Sequence, residues 1–330
     1  MQWGGRSLIT SSTSSSQSAT TLRPEHTHLA YVAMVVDVTE RRGASRSPTP
    51  NGNTRVTGKE QFFTPRPVAD AVVKKVLDVV PDATNRTWLE PAGGTGVFID
   101  AVRAVGVLDV VSFDIEPRHQ DVSRGDFLRQ QLSVKRAVSV GNPPFGRNNA
   151  LSVPFFNQCA HYSDFIAFIV PRSWRKWSVT NRLDTRFHLC TDDDLAISYV
   201  DAEGAVAYTR TYLQTCIQIW ERRDHSRPKV KVLDRGIVAK CAPEDADVAL
   251  TIFGFGCGTV KTDFPRRKVT TELYLTLTHP RALEALRAVD YQRFSRNVAY
   301  TEALSIQEIN YLLNEYLFDD PGMTTAPAIA

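Results

Sequence analysis

In the segment RAVSVGNPPFGRN, a carboxamide, two prolines and an aromatic ring stand in a row, Asn142, Pro143, Pro144 and Phe145, at what reads as the carboxyl end of a strand. That set suits a planar amine, a poor nucleophile because its lone pair is delocalised into a ring. The Asn142 side-chain oxygen and the Pro143 carbonyl can accept both amine hydrogens, favouring a tetrahedral nitrogen whose lone pair faces a methyl donor. This is preorganised polar catalysis with acceptors where an oxyanion hole has donors. Phe145 would stack on an extruded base and Pro144 would stiffen the loop. The plain alternative is an NPP turn carrying a core phenylalanine.

Upstream, WLEPAGGTGVFIDAV reads as a strand ending at Glu90, followed by Pro91 and by Gly93, Gly94 and Gly96 opening a helix. Glycines there let backbone N–H groups approach a ligand at the positive end of a helix. No GKS or GKT follows, so this is not a Walker loop, and the spacing departs from the dinucleotide GxGxxG. The next strand, VVSFDIEP, brings Asp114, with Glu116 in reserve, about 20 residues past the glycines, where a nucleoside-binding α/β protein holds ribose hydroxyls. A structural glycine turn and a carboxylate helix cap are the plain alternatives.

A third segment, PRSWRKWSVTNRLDTRF, interleaves Arg172, Arg175, Lys176, Arg182 and Arg186 with Trp174 and Trp177. Cations neutralise phosphates and aromatic faces stack on unpaired bases, so the segment is expected to contact the substrate strand at the site's rim. A solvated loop with buried Trp anchors is the alternative. Lys261, Arg266, Arg267 and Lys268, after the glycine-rich FGFGCG, form a second basic cluster. The seven histidines fall into no metal or triad spacing, and no metal is expected.

These residues need strands to deliver them. TWLE, LDVVSFDI, RAVSVGN and FIAFIVP alternate with the helical patterns VFIDAVRAVG and PFFNQCAHY, which argues for βαβ units around a mostly parallel sheet. Ligands gather at the carboxyl ends of such strands. Val68, Val72, Val73, Val76, Leu77 and Val80 recur at helical spacing and start the folded unit. LQTCIQIWE reads as the last strand of the sheet, and the polar RRDHSRPK as a linker, with a boundary near Asp224. Residues 225–330 read as a small α+β domain with a frayed end, PGMTTAPAIA.

The chain has 330 residues, a net charge of +3 and 42% hydrophobic content, within the range of soluble globular proteins, so any nucleic-acid contact must rest on local patches. Its five cysteines form no CxxC pair, which suits a reducing compartment. No apolar run approaches the roughly 20 residues of a membrane span. Residues 1–58, rich in Ser, Thr, Arg, Gly and Pro, read as a disordered tail. Their acid-poor start shares a pattern with organellar transit peptides. Cytoplasm, nucleoid or nucleus are the other locations expected.

LEPAGGTG resembles motif I of the amino methyltransferases, NPPF resembles motif IV of their adenine-N6 branch, and QFFTP resembles motif X. With motif X at the amino end, the order resembles the gamma-class DNA adenine methyltransferases over residues 61–221. The resemblance implies a Rossmann-like class I methyltransferase domain over 59–224, with S-adenosyl-L-methionine as cofactor and adenine N6 in DNA as methyl acceptor. It also implies that Phe63, Thr64 and Pro65 line the methionine end of the pocket, Glu90 and Pro91 sit near the cofactor's amino group, and Asp126 and Phe127 hold its adenine. About a hundred residues after the catalytic unit is small for a sequence-reading domain. RNA adenosine methyltransferases, cap-adjacent ones included, also use NPPF, and protein glutamine methyltransferases use a related motif nearer NPPY.

Overall fold

The computed structural model describes residues 62–201, 204–205 and 213–326. The expected tail over 1–58 lies outside the described residues. The described residues fall in one compact unit.

Pro65, extended, starts helix α1 (Arg66–Val79), which has Pro67 in its first turn and buries Ala69, Val72, Val73 and Val76. There follow β1 (Trp88–Glu90), α2 (Val97–Ala104), β2 (Val110–Asp114), β3 (Ser123–Arg124), β4 (Ala137–Gly141), α3 (Ser152–Cys159), β5 (Ser163–Pro171), α4 (Trp177–Thr180), β6 (Phe187–Leu195) and β7 (Thr215–Arg222). The strands form one sheet in the order β3-β2-β1-β4-β5-β7-β6. From β3 to β5 all neighbours are parallel, and β7 runs antiparallel to both β5 and β6. This is the expected Rossmann-like α/β architecture with a mostly parallel sheet. β4 and all of β5 but Asp164 are buried, as strands covered on both faces must be. One layer packs α1 and α2 against Trp88, Val138 and Val140. The other packs Val153 and Phe156 of α3 with Trp174, Phe187 and Trp220.

Two details differ from the sequence reading. LQTCIQIWE is the last strand of this sheet along the chain but an inner one in space, because β6 occupies the edge. FHLCTDDDL gave no alternating signal since an edge strand can present polar side chains to solvent, and Asp192, Asp193 and Asp194 do so in ion pairs with Arg175, Lys75 and Arg172. The segment read as a polar linker is also tied down. Arg227 donates to the Phe187 carbonyl (2.9 Å) and lies over the Trp220 ring.

The C-terminal portion adds β8 (Lys229–Val232), β9 (Val238–Lys240), β10 (Val248–Thr251), β11 (Val260–Lys261), β12 (Glu272–Leu277), α5 (Ala282–Ala288), α6 (Gln292–Ser295), α7 (Ile306–Phe318) and β13 (Met323–Ala326). An antiparallel sheet, β11-β10-β12-β9, shares a core with α5 and α7 through Leu250, Leu275, Leu286 and Leu313. The end read as frayed is partly ordered: Met323–Ala326 pair with Lys229–Val232. Among the described residues, no helix is long and apolar enough to cross a membrane.

Ser305 and Glu308 form a capping box at the start of α7, with Glu308 Oε2 accepting from the Ser305 amide at 2.7 Å. Both Glu308 oxygens also accept from Lys176 Nζ at 2.9 Å, and the side chains are only 14% and 3% exposed. This pair fastens the rim after β5 to the C-terminal portion. Removing one partner strands a buried charge. Glu308→Ala should therefore lower unfolding free energy by roughly 3–5 kcal/mol in denaturant titration. The apolar double variant Lys176→Met, Glu308→Leu should recover most of that loss.

Candidate active site

A cavity of about 750 Å³ opens at the carboxyl ends of β1, β2 and β4, where the strand order reverses. That is the ligand crevice of an open α/β sheet, and the volume suits a nucleoside-sized molecule.

At the tip of β1, Glu90 is 1% exposed and its Oε2 accepts from Ser112 Oγ at 3.1 Å. Burial pushes its carboxyl up to about 8; the Ser112 hydroxyl pulls it back, and Asp114 and Asp100 add to the rise. Pro91, Gly93 and Gly94 continue the wall. A Cβ on Gly93 would lie 2.2 Å from Ser112 Oγ, and Gly94 has φ +47° with the Phe63 ring against it. Only glycine fits this turn. The Gly94 amide donates to Asp114 Oδ2 and the Glu116 amide to Asp114 Oδ1, both at 2.8 Å. Asp114 is thereby fixed at the tip of β2 and lines the cavity together with Glu116. Asp126 accepts from the Leu128 amide (3.1 Å) and turns the chain so that Phe127 and Leu128 line the same cavity, where Phe155 of α3 lines it too.

Phe63 pairs with Val200 through two backbone hydrogen bonds of 3.1 and 3.2 Å. It lines the cavity with Thr64, whose buried Oγ1 has no hydrogen-bond partner. Asn142 lies on the wall at the end of β4; its Nδ2 donates to the Phe62 carbonyl at 2.9 Å, and its buried Oδ1 has no partner among the described residues. A carbonyl only accepts, so this contact fixes which end of the carboxamide is oxygen. An orphaned buried acceptor costs on the order of 1–3 kcal/mol, a cost a ligand donor can offset.

Other expected positions fall differently. Pro144 lines the cavity, whereas Pro143 is buried and off its wall. Phe145, expected to offer its face to a base, is 8% exposed and packs with Tyr199 and Leu213, with Phe62 and Tyr300 around them. Apolar contact with those side chains takes the ring out of water and off the cavity wall. Pro65 and Gly96 also leave the wall, serving as the starts of α1 and α2. The sequence reading missed Ser112, Phe155 and Arg147. Ser112 carried a signal, as the one polar residue inside an otherwise apolar run.

The Trp/Arg segment does not present free cations. Arg172 pairs with Asp194 (2.6 Å) and Arg175 with Asp192 (2.7 Å). Lys176 is held by Glu308, Arg182 donates to the Asn148 and Asn149 carbonyls, and Arg186 pairs with Asp184. Trp174 is sealed in the core with Nε1 donating to Ser152, and Trp177 packs against Phe294 and Tyr311. The segment fastens the seven-stranded sheet to α6 and α7, so the expectation of a substrate-facing loop is corrected. Acids distant in sequence, on β6 and α7, neutralise its charges. Among the described residues, no group of three or more His, Cys, Asp and Glu could hold a metal.

The residues present fit S-adenosylmethionine. A fixed carboxylate for ribose hydroxyls, an apolar slot at Phe127 and Phe155, a buried acid at Glu90 for an ammonium and the orphaned Thr64 hydroxyl occupy one cavity. Glu90 also makes stability depend on pH. Folding holds its proton to about 8 while the unfolded chain releases it near 4.5, so the contribution is lost as pH rises through that window. Relative to Glu90→Gln, the ligand-free protein should lose about 1.4 kcal/mol per pH unit across that window in unfolding titrations. S-adenosylmethionine, with its cationic groups, should flatten the loss.

No family model matches the chain. Over 95 residues, 28% of the chain, it is 30% identical to the type II methyltransferases M.HincII and M.HindII of Haemophilus influenzae, and that stretch spans 18% of each relative's length. Among solved structures, it is similar to a Pyrococcus horikoshii protein designated an RNA methyltransferase (TM-score 0.40, 16% identity, covering 49% of this chain and 87% of that one). It is also similar to the M protein of the type I restriction enzyme EcoKI (TM-score 0.36, 15% identity, 50% and 44%). The described core has a Rossmann-like α/β fold with a mostly parallel sheet, and over those 95 residues the chain is similar in sequence to type II methyltransferases.

Proposed function

We propose that the protein transfers a methyl group from S-adenosylmethionine to the N6 amine of adenine in a nucleic acid, with DNA favoured over RNA. The observation that carries this reading is the Asn142 carboxamide, tied by nitrogen to the Phe62 carbonyl and left with a partnerless oxygen beside the cavity. S-adenosylmethionine supplies an electrophilic methyl on a positively charged sulfur. Asn142 Oδ1 takes one hydrogen of the amine and thereby localises the nitrogen lone pair for in-line attack. The Pro143 carbonyl follows at the same strand end and would serve as second acceptor once turned from its buried position off the wall toward the amine. Asp114, Glu90 and the Phe127 slot hold the donor, and Arg147, exposed at the rim without an ion pair among the described residues, offers charge to a phosphate.

A base reaches the Phe145 ring only after the Tyr199–Leu213 contact opens, so substrate entry includes a rearrangement of that aromatic cluster. Similarity over 95 residues to the type II methyltransferases M.HincII and M.HindII, together with the order FFTP, glycine turn, NPPF, supports DNA.

Asn142→Ala should bind S-adenosylmethionine as the parent does in calorimetry, while the rate of methyl incorporation into nucleic acid falls roughly 10²- to 10³-fold. Turnover close to that of the parent would remove Asn142 from the chemistry. Label from methyl-labelled cofactor appearing in protein rather than nucleic acid would replace the acceptor with a glutamine amide.

A further inference from the structure

The loop between β10 and β11, IFGFGCGT, holds the one large apolar side chain among the described residues that is fully exposed, Phe255. Gly254, Gly256 and Gly258, with φ of +86°, +78° and +95°, fold the loop into a narrow tip around it. Its base is not loose. The Gly254 amide donates to the Glu302 carbonyl (2.9 Å), Phe253 bridges Ala303, and the Leu304 amide donates to the Ile252 carbonyl (2.9 Å). Phe255 and its half-exposed neighbour Phe253 put two aromatic rings on one firmly seated loop, apolar surface within reach of an external partner.

The same anchoring segment runs to the candidate active site. Ala299 and Tyr300 pack on the cluster that contains Phe145, the Ala299 carbonyl accepts from the Gln214 amide at 2.7 Å, and the Ala303 carbonyl accepts from Lys176 Nζ at 3.1 Å. From residue 299 to residue 303 the chain can advance at most roughly 14 Å, a few nucleotides of a strand. Beside the loop, the Ile252 amide donates to the Thr271 carbonyl. The segment leading to Thr271 carries Arg267 and Lys268, both exposed and without ion pairs among the described residues, whereas Lys261 is spent on Glu272 and Arg266 on backbone carbonyls and the Phe264 ring. An unpaired ring flanked by unpaired cations suits a base flanked by phosphates, and it matches an acidic protein surface less well.

Resting on the methyl-transfer reading above, we infer that Phe255 stacks on a nucleic-acid base flanking the one presented to Asn142, with Arg267 and Lys268 on the adjoining phosphates. The contact positions the strand and takes no part in the chemistry.

The test uses the full chain, mixed-sequence single- and double-stranded oligonucleotides followed by anisotropy, and methylation of pooled DNA and RNA with labelled S-adenosylmethionine. Phe255→Ala should weaken oligonucleotide binding and raise KM for nucleic acid about ten- to hundredfold. Affinity for S-adenosylmethionine and kcat at saturating substrate should stay unchanged, and Phe255→Trp should restore binding. If the wild-type protein methylates nucleic acid and Phe255→Ala does so with the same KM and affinity, the stacking role is overturned and the methyl-transfer reading stands. If the wild-type protein neither binds nor methylates nucleic acid, the functional reading falls and this inference with it.

Discussion

The chemistry proposed for this protein depends on one side-chain contact, the hydrogen bond from Asn142 Nδ2 to the Phe62 carbonyl. Because the nitrogen is spoken for, the oxygen is left as a buried acceptor without a donor. Holding that arrangement requires the fold on both sides. β4 brings Asn142 to its carboxyl end, and the Phe63–Val200 bridge holds the incoming chain so that the Phe62 carbonyl is in reach. An acceptor left unsatisfied in the free protein is preorganised for a donor that arrives with the substrate.

The cofactor end of the cavity works by the same economy. Glycines at 93 and 94 permit an approach that any side chain would block, and their backbone then fastens Asp114. Glu90 is kept protonated near neutral pH by burial beside other acids, a state that a neighbouring ammonium reverses.

Where sequence reasoning succeeded, one local pattern carried the information. Alternating apolar runs identified the strands of the parallel core, and residues following those strands, Glu90, Gly93, Asp114 and Asn142, share a wall because parallel strands end on one side of a sheet. It failed where the decisive partner is remote in sequence. Arg172, Arg175 and Lys176 read as free cations until β6 and α7 supplied Asp194, Asp192 and Glu308. Phe145 read as a stacking surface, yet its neighbours Tyr199 and Leu213 are chosen by tertiary packing that no spacing rule encodes. The edge strand β6 escaped notice because its residues obey solvent and ion pairing more than a buried face.

The most direct test of the account is the nucleoside composition of purified DNA and RNA after incubation with the protein and methyl-labelled S-adenosylmethionine, read by mass spectrometry. Labelled N6-methyladenine in the hydrolysate, in DNA above RNA, is the predicted result. Label on cytosine, on an adenine ring carbon or on the ribose, with none on N6, would contradict it.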